Sequence, residues 1–177
     1  MSKANQKNTQ ALLGTILAFA SCTAYALDTL CTTTEKVIFN CQLKESKKLV
    51  SVCGSKPLTR DSGYIQYRFG TKQYLELIYP SKKTESQKRF FGGYQHPYQS
   101  SIAELTFENG GYSYTLSAYS VSEVLNDIPG GAEFGEITIQ KRGASNYKTL
   151  KCTKYPDGEF YLEGIVRDAE ELIDAKP

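Results

Sequence analysis

Ile102-Ala103-Glu104-Leu105-Thr106-Phe107-Glu108-Asn109-Gly110-Gly111-Tyr112-Ser113-Tyr114-Thr115-Leu116-Ser117-Ala118-Tyr119-Ser120 carries small or apolar residues at every second position on either side of an Asn-Gly pair. Alternation with a period of two marks a strand with one face buried. Asn-Gly is the preferred pair for a tight type I′ turn, because both central positions need positive φ. The two signals together predict a β-hairpin of Ile102–Glu108 with Gly111–Ser120 around Asn109-Gly110. That turn pairs Phe107 with Tyr112, Leu105 with Tyr114 and Ala103 with Leu116, which brings the apolar sets onto one face.

The same pattern recurs on the N-terminal side. Ile65, Tyr67 and Phe69 alternate with Gln66 and Arg68, and Leu75, Leu77 and Tyr79 alternate with Glu76 and Ile78. A loop of Thr71-Lys72-Gln73 would pair Phe69 with Leu75, Tyr67 with Leu77 and Ile65 with Tyr79. A slip by one residue would expose half of the apolar set. Further strands are expected at Lys36–Gln42, Lys48–Cys53, Glu133–Lys141 and Tyr147–Cys152, separated by polar or Gly/Pro-rich breaks. Val121–Asp127 reads as a short helical turn. Near the C-terminus Ile165, Val166, Ala169, Leu172 and Ile173 recur at helical spacing, with Asp168, Glu170, Glu171 and Asp174 on the other side, so one amphipathic helix is expected there. About eight short strands with tight turns and one late helix imply a mainly β fold, an antiparallel barrel or sandwich.

The first residues carry Lys3 and Lys7, then the apolar run Ala11–Ala20, then Ala24-Tyr25-Ala26. A basic head, a short apolar centre and an A-x-A exit form the pattern of a cleavable secretory signal. The run is about half the length that spans a bilayer as a helix. The expected organisation is a signal peptide over residues 1–26 and a single disulfide-containing domain over 27–177, periplasmic or secreted. A retained anchor helix and a lipoprotein attached at Cys22 are the alternatives. No second apolar segment is long enough to cross a membrane.

Without residues 1–26 the chain keeps 19 basic and 19 acidic residues. A general nucleic-acid binder needs a strong basic excess, so nucleic acid is not an expected partner. Cys31, Cys41, Cys53 and Cys152 remain. An even number behind a signal peptide reads as two disulfides. The spacing does not resemble paired zinc ligands, so no metal is expected. Three pairings are open, and in each of them Cys152 reaches back to an N-terminal cysteine.

Candidate chemistry is sparse. His96 is the one histidine and tryptophan is absent. There is no G-x-S-x-G elbow, no phosphate-binding glycine loop and no H-E-x-x-H, and no cofactor is expected. Glu76, Glu104 and Glu136 lie on the polar sides of strands, the one place where an acid-pair hydrolase would find its carboxylates; solvated sheet faces account for them more simply. The most distinctive stretch, Phe90-Phe91-Gly92-Gly93-Tyr94-Gln95-His96-Pro97-Tyr98, reads as an aromatic loop. It either presents Tyr94, His96 and Tyr98 for contact or folds back to bury Phe90 and Phe91. Lys82, Lys83, Lys88 and Arg89 precede or flank it as a basic patch or a solvated loop. Tyr67, Tyr79, Tyr112 and Tyr114 fall on core-side faces, and Tyr64, Tyr74 and Tyr119 on the opposite ones, where a row of exposed phenols would suit recognition.

The pattern of Cys31, Phe39 and Cys41, then Ser51-Val52-Cys53, then Tyr64-Ile65-Gln66-Tyr67-Arg68-Phe69-Gly70 resembles a group of small exported proteins of Gram-negative bacteria (C…FxC…SVC…YxQYRFG). The resemblance covers roughly residues 31–80; it implies export and this fold, and brings no activity with it. Ser62-Gly63 with Tyr64 is also similar to the segment that periplasmic lysozyme inhibitors of the membrane-bound/C-type class push into the enzyme cleft. It adds Ser62 and Tyr64 as candidate binding residues. The W-x-K-G segment of those inhibitors has no counterpart here. The expected function is therefore a non-enzymatic module that binds a protein partner in the envelope, such as a cell-wall hydrolase or a delivered toxin, as an inhibitor or immunity protein. A structural or envelope-maintenance protein binding glycan or a lipoprotein is the alternative.

Overall fold

The computed structural model describes residues 28–124 and 127–174. The expected signal peptide and Cys22 lie outside them. Strands β1 (Lys36–Gln42), β2 (Leu49–Gly54), β3 (Ile65–Gly70) and β4 (Leu75–Tyr79) form one antiparallel meander. A 3₁₀ turn at Ser86–Arg89 leads to a second meander of β5 (Phe91–Gln95), β6 (Ser100–Asn109), β7 (Tyr112–Val121), β8 (Glu133–Lys141) and β9 (Tyr147–Lys151). The two-residue β10 (Arg167–Asp168) adds to the β5 edge in parallel. The apolar faces of the two sheets pack on each other, as the alternating patterns require. The result is a loose sandwich. The sheets also meet at the isolated Leu43–Cys152 bridge, which is too short a pairing to close a barrel. Among the described residues no helix is long and apolar enough to cross a membrane.

Phe107 stands at the centre of the core. Its ring stacks on Tyr79 at 4.5 Å and Tyr114 at 4.9 Å, with Tyr67 at 4.8 Å and Phe90 at 5.6 Å. Ile38, Val50, Val52, Ile65, Leu105, Leu116 and Ile137 fill the space around it and are fully buried. Burial pushes the Tyr67 phenol well above its usual pKa, and the neighbouring Tyr114 adds to this.

Both expected hairpins form, each in a register shifted by two residues. In the first, Phe107 faces Tyr114, Leu105 faces Leu116 and Ala103 faces Ala118. The turn residues are Gly110 (φ 58°) and Gly111 (φ 80°), and Asn109 is the last strand residue, opposite Tyr112. Two consecutive glycines take both left-handed positions without the Cβ penalty that Asn109 would meet. In the second, Tyr67 faces Tyr79 and Phe69 faces Leu77, with a bulge beside Gly70. A shift of two preserves every inward face, so the apolar pattern alone could not detect it. Gly111→Ala is expected to cost about 1–2 kcal/mol for a left-handed non-glycine residue, whereas Asn109→Ala should be nearly neutral. Urea unfolding of the two variants checks the register.

Three further expectations change. Of the helical turn expected at Val121–Asp127, residues 125 and 126 lie outside the described residues; Val121 ends β7, its N–H and C=O taken by Ala132 and Gly131, and residues 122–124 bend without helical hydrogen bonds. The C-terminal helix shrinks to the single turn Glu170–Asp174. Arg167 N–H and Ala169 N–H instead donate to the carbonyls of Phe90 and Gly92, and the Arg167 guanidinium lies 4.4 Å from the centre of the Phe91 ring. An open strand edge with unpaired carbonyls thus wins over helical periodicity. Finally, Phe91–Gln95 is a strand and not a loop. Its glycines hid it, and Gly92 is there for close approach: a Cβ at that position would lie 2.8 Å from Val166 Cγ2.

The outer face of the four-stranded sheet is covered by the segment 28–35. Cys31 bonds to Cys53 in β2, and Cys41 in β1 bonds to Cys152 after β9. Two disulfides mark a chain that matures outside the reducing cytoplasm. Leu30 N–H donates to Ser51 Oγ at 3.0 Å, and Asn40 Nδ2 donates to the Asp28 carbonyl at 3.0 Å. This strap explains why β2 and β3 are buried on both faces although β3 carries Gln66 and Arg68.

Candidate binding site

Tyr94 is the hub of the site. It sits near the end of β5 on the same sheet face as its partner Ala103, yet it is 46% exposed. The His96 ring meets it edge to face at 4.5 Å, and the Tyr161 ring does the same at 6.0 Å. Tyr155 is close enough to feel the Tyr94 phenol: burial first, then Glu133 and Tyr94, raise its pKa. The Tyr161 hydroxyl donates to Glu163, and that hydrogen bond holds its phenol above the usual range, with Tyr94 contributing. A phenol combines an apolar ring with one hydroxyl that both donates and accepts. Tyr98, 82% exposed, stands on the loop to β6. Phe90 and Phe91 of the same stretch are buried. The aromatic stretch is therefore divided: Phe90 enters the core, Phe91 is buried beneath the Arg167 guanidinium, and Tyr94, His96 and Tyr98 face out.

Beside Tyr94 runs a groove of about 740 Å³. Gly92, Gly93, Tyr94 and His96 line one part of it, and residues 160–164 and 166–171 line the rest, with Arg60 and Glu104. Arg60 is two residues from Ser62, so the Thr59–Ser62 turn adjoins the same groove.

Ser62 is exposed, and its backbone closes that turn through Thr59. Tyr64 is committed elsewhere. Its hydroxyl donates to Glu35 Oε1 at 2.6 Å, and Lys83 Nζ lies 3.9 Å from the centre of its ring. Lys88 pairs with Glu85, so at least two members of the basic patch serve intramolecular contacts. Tyr74, Tyr119 and Tyr64 do not form a row. Tyr74 projects from the β3–β4 turn and Tyr119 stacks on Phe134 at 4.7 Å on the outer face of the larger sheet. Tyr112, expected in the core, is 41% exposed at the hairpin end.

The three strand glutamates do not converge. Glu76 pairs with Lys48 at 2.8 Å on the smaller sheet. Glu104 and Glu136 occupy the outer face of the larger one, on either side of Ser117, whose hydroxyl donates to Glu104 at 3.0 Å. Among the described residues no three His, Cys, Asp or Glu side chains are grouped to hold a metal.

The sequence reading missed Tyr155 and Tyr161. Residues 153–164 have no period of either kind, and only their aromatic content, Tyr155, Phe160 and Tyr161 among Pro156, Gly158 and Gly164, signalled a packed segment. It is held in place by Asp157 N–H and Glu159 N–H, which donate to the carbonyls of Asn40 and Val37, and by Phe160, which packs on Phe39 at 5.0 Å. Comparison of the chain with known families, with curated proteins and with solved structures gives no match.

Proposed function

We propose that this protein is a non-enzymatic binding module of the cell envelope, periplasmic or secreted, that seats a protein partner on the tyrosine cluster around Tyr94. The role this suits is inhibitor or immunity protein against a cell-wall hydrolase or a delivered toxin. The observation that carries the reading is the convergence of Tyr94, His96, Tyr155 and Tyr161, all exposed, on a disulfide-tied β scaffold, with the exposed Tyr98 two residues beyond His96 on the loop to β6. Tyrosine gives large contact area at small cost in side-chain entropy, and it is enriched where binding energy concentrates. A rigid strand holds Tyr94 and the Cys41–Cys152 bond anchors the neighbouring segment, so little ordering is left to be done on binding. Ser62 sits in the turn that adjoins the groove, and its exposed hydroxyl suits insertion into a partner's cleft.

The protein is immobilised and exposed to periplasmic extract, and the retained partner is identified and titrated. Tyr94→Ala with His96→Ala is expected to weaken that complex by about 30-fold or more, the scale of a hot-spot residue, with the melting temperature unchanged. Equal affinity for the wild type and the double variant would remove the cluster from the binding surface.

A further inference from the structure

The groove beside Tyr94 is acidic in a chain whose described part carries 18 basic and 19 acidic residues. Glu104, Glu163, Asp168, Glu170 and Glu171 line it, against Arg60 and Arg167. Arg167 is already engaged. Its Nε donates to Glu171 at 3.0 Å and its guanidinium covers Phe91. Among the described residues Glu104, Asp168 and Glu170 have no lysine or arginine within ion-pair distance. Asp168 and Glu170 flank Ala169, which lies against the Gly93 side of the groove: a Cβ on Gly93 would meet only the Ala169 Cβ, at 3.5 Å. Phenol rings and carboxylates without a cationic partner line one groove, with Asp168 paired to Gly92 on the strand that carries Tyr94, and these are the two elements that hold an organic cation. The rings attract it through their faces, and the carboxylates complete the charge.

We propose that this groove receives a cationic segment of the partner polypeptide, with an arginine or lysine side chain laid against Tyr94 and Tyr161 and its charge directed to Asp168 and Glu170. This rests on the binding-module reading and names the chemistry of its partner. Charge complementarity selects the occupant: the same carboxylates repel phosphate and anionic lipid, and a neutral glycan would leave them unpaired. The groove is open to solvent, so the attraction is screened by salt.

The test uses the protein with Cys31–Cys53 and Cys41–Cys152 formed, titrated calorimetrically with an Arg-Gly-Ser repeat peptide, its Glu-Gly-Ser counterpart and a neutral N-acetylglucosamine oligosaccharide. The Arg-containing peptide is expected to bind and the Glu-containing peptide and the glycan not to. Affinity should fall at least about tenfold between roughly 0.05 and 0.5 M NaCl. Asp168→Lys with Glu170→Lys should also lower it at least about tenfold, and Tyr94→Ala should lower it at either salt. Absence of binding by the Arg-containing peptide, binding of both peptides alike, tighter binding of the glycan, or affinity unmoved by the charge reversal would each overturn the proposal. The extract experiment separates the two readings. A captured partner lost with Tyr94→Ala but kept with the charge reversal would overturn the cationic occupant and leave the module intact. A partner insensitive to Tyr94→Ala would overturn the module itself.

Discussion

Replacing Arg68 with Met is expected to lower unfolding free energy by about 3–5 kcal/mol, the loss seen when one member of a buried ion pair is removed. Arg68 and Glu35 are both buried. Every guanidinium donor finds an acceptor: Nη1 reaches Glu35 Oε2 at 2.7 Å and the Leu30 carbonyl at 2.8 Å, Nη2 reaches Glu35 Oε1 at 2.6 Å and Gln66 Oε1 at 2.9 Å, and Nε reaches Gln66 Oε1 at 3.1 Å. Glu35 is equally filled, because Thr32 N–H and the Tyr64 hydroxyl take its remaining positions. Burial pushes the Glu35 carboxyl up, but the hydrogen bonds from Arg68, Tyr64 and Thr32 and the Arg68 charge outweigh it and hold the pKa at about 2. A depressed carboxylate contributes stability above its unfolded pKa and loses it as pH falls through the folded one. The wild type should therefore weaken between about pH 5 and pH 2 on this account. In Arg68→Met the sign reverses: Glu35 stays buried with its bidentate partner gone and only the half-exposed Lys83 Nζ, 3.7 Å away, as a cation, so its pKa rises and acidification relieves the strain. Urea unfolding at pH 7 and pH 4 should show the gap between variant and wild type narrowing at pH 4. Replacing both residues by Leu should cost less than Arg68→Met alone. A single variant whose deficit is small at pH 7, or does not shrink at pH 4, would show that the strap is held mainly by Cys31–Cys53.

The fold was legible wherever one physical signal was sufficient. Lys36–Gln42 and Glu133–Lys141 match the strands at both ends, because polar or Gly/Pro-rich breaks bound them. Registers were off by two, since faces repeat with that period and only the turn glycines settle the count. The late helix failed because its apolar spacing competes with an unfilled strand edge that no local pattern displays. Arg68 and Gln66 read as the solvent side of β3. They are buried because residues 28–35, far away in sequence, lie over them.

The candidate site was half visible for the same reason. Tyr94, His96 and Tyr98 stand out in sequence as aromatic side chains next to glycines and a proline, and they are exposed. Tyr155 and Tyr161 join them only through tertiary pairing of residues 157–159 with β1. The resemblance of Ser62-Gly63-Tyr64 to a lysozyme-inhibitor segment drew Tyr64 into the candidate set, yet its hydroxyl completes the Glu35 cluster. Sequence proximity to Ser62 carried no information about which hydroxyl was already bonded.

Removing the Cys41–Cys152 bond with paired alanines is expected to cost about 5 kcal/mol, against about 3 kcal/mol for Cys31–Cys53, if closure of the unfolded chain governs the effect. The first bond spans 111 residues and the second 22. The larger loss also has a place in the fold. Cys41 lies in β1 of one sheet and Cys152 just past β9 of the other, where Leu43 and Cys152 bridge and Thr153 N–H donates to the Gln42 carbonyl. That junction links the ends of the two meanders in strand-like fashion, and the segment carrying Tyr155 and Tyr161 begins directly after it. Urea unfolding of the two alanine pairs gives the ranking. Binding gives a second readout that loop length alone does not foresee: under conditions where each variant is folded, losing Cys41–Cys152 should weaken partner capture through the displaced tyrosines, and losing Cys31–Cys53 should not. Equal stability losses would mean that the unfolded chain keeps the sheets' ends together without the bond. Equal capture by both variants would mean that hydrogen bonds from Asp157 and Glu159 to β1 suffice to hold the tyrosine cluster in place.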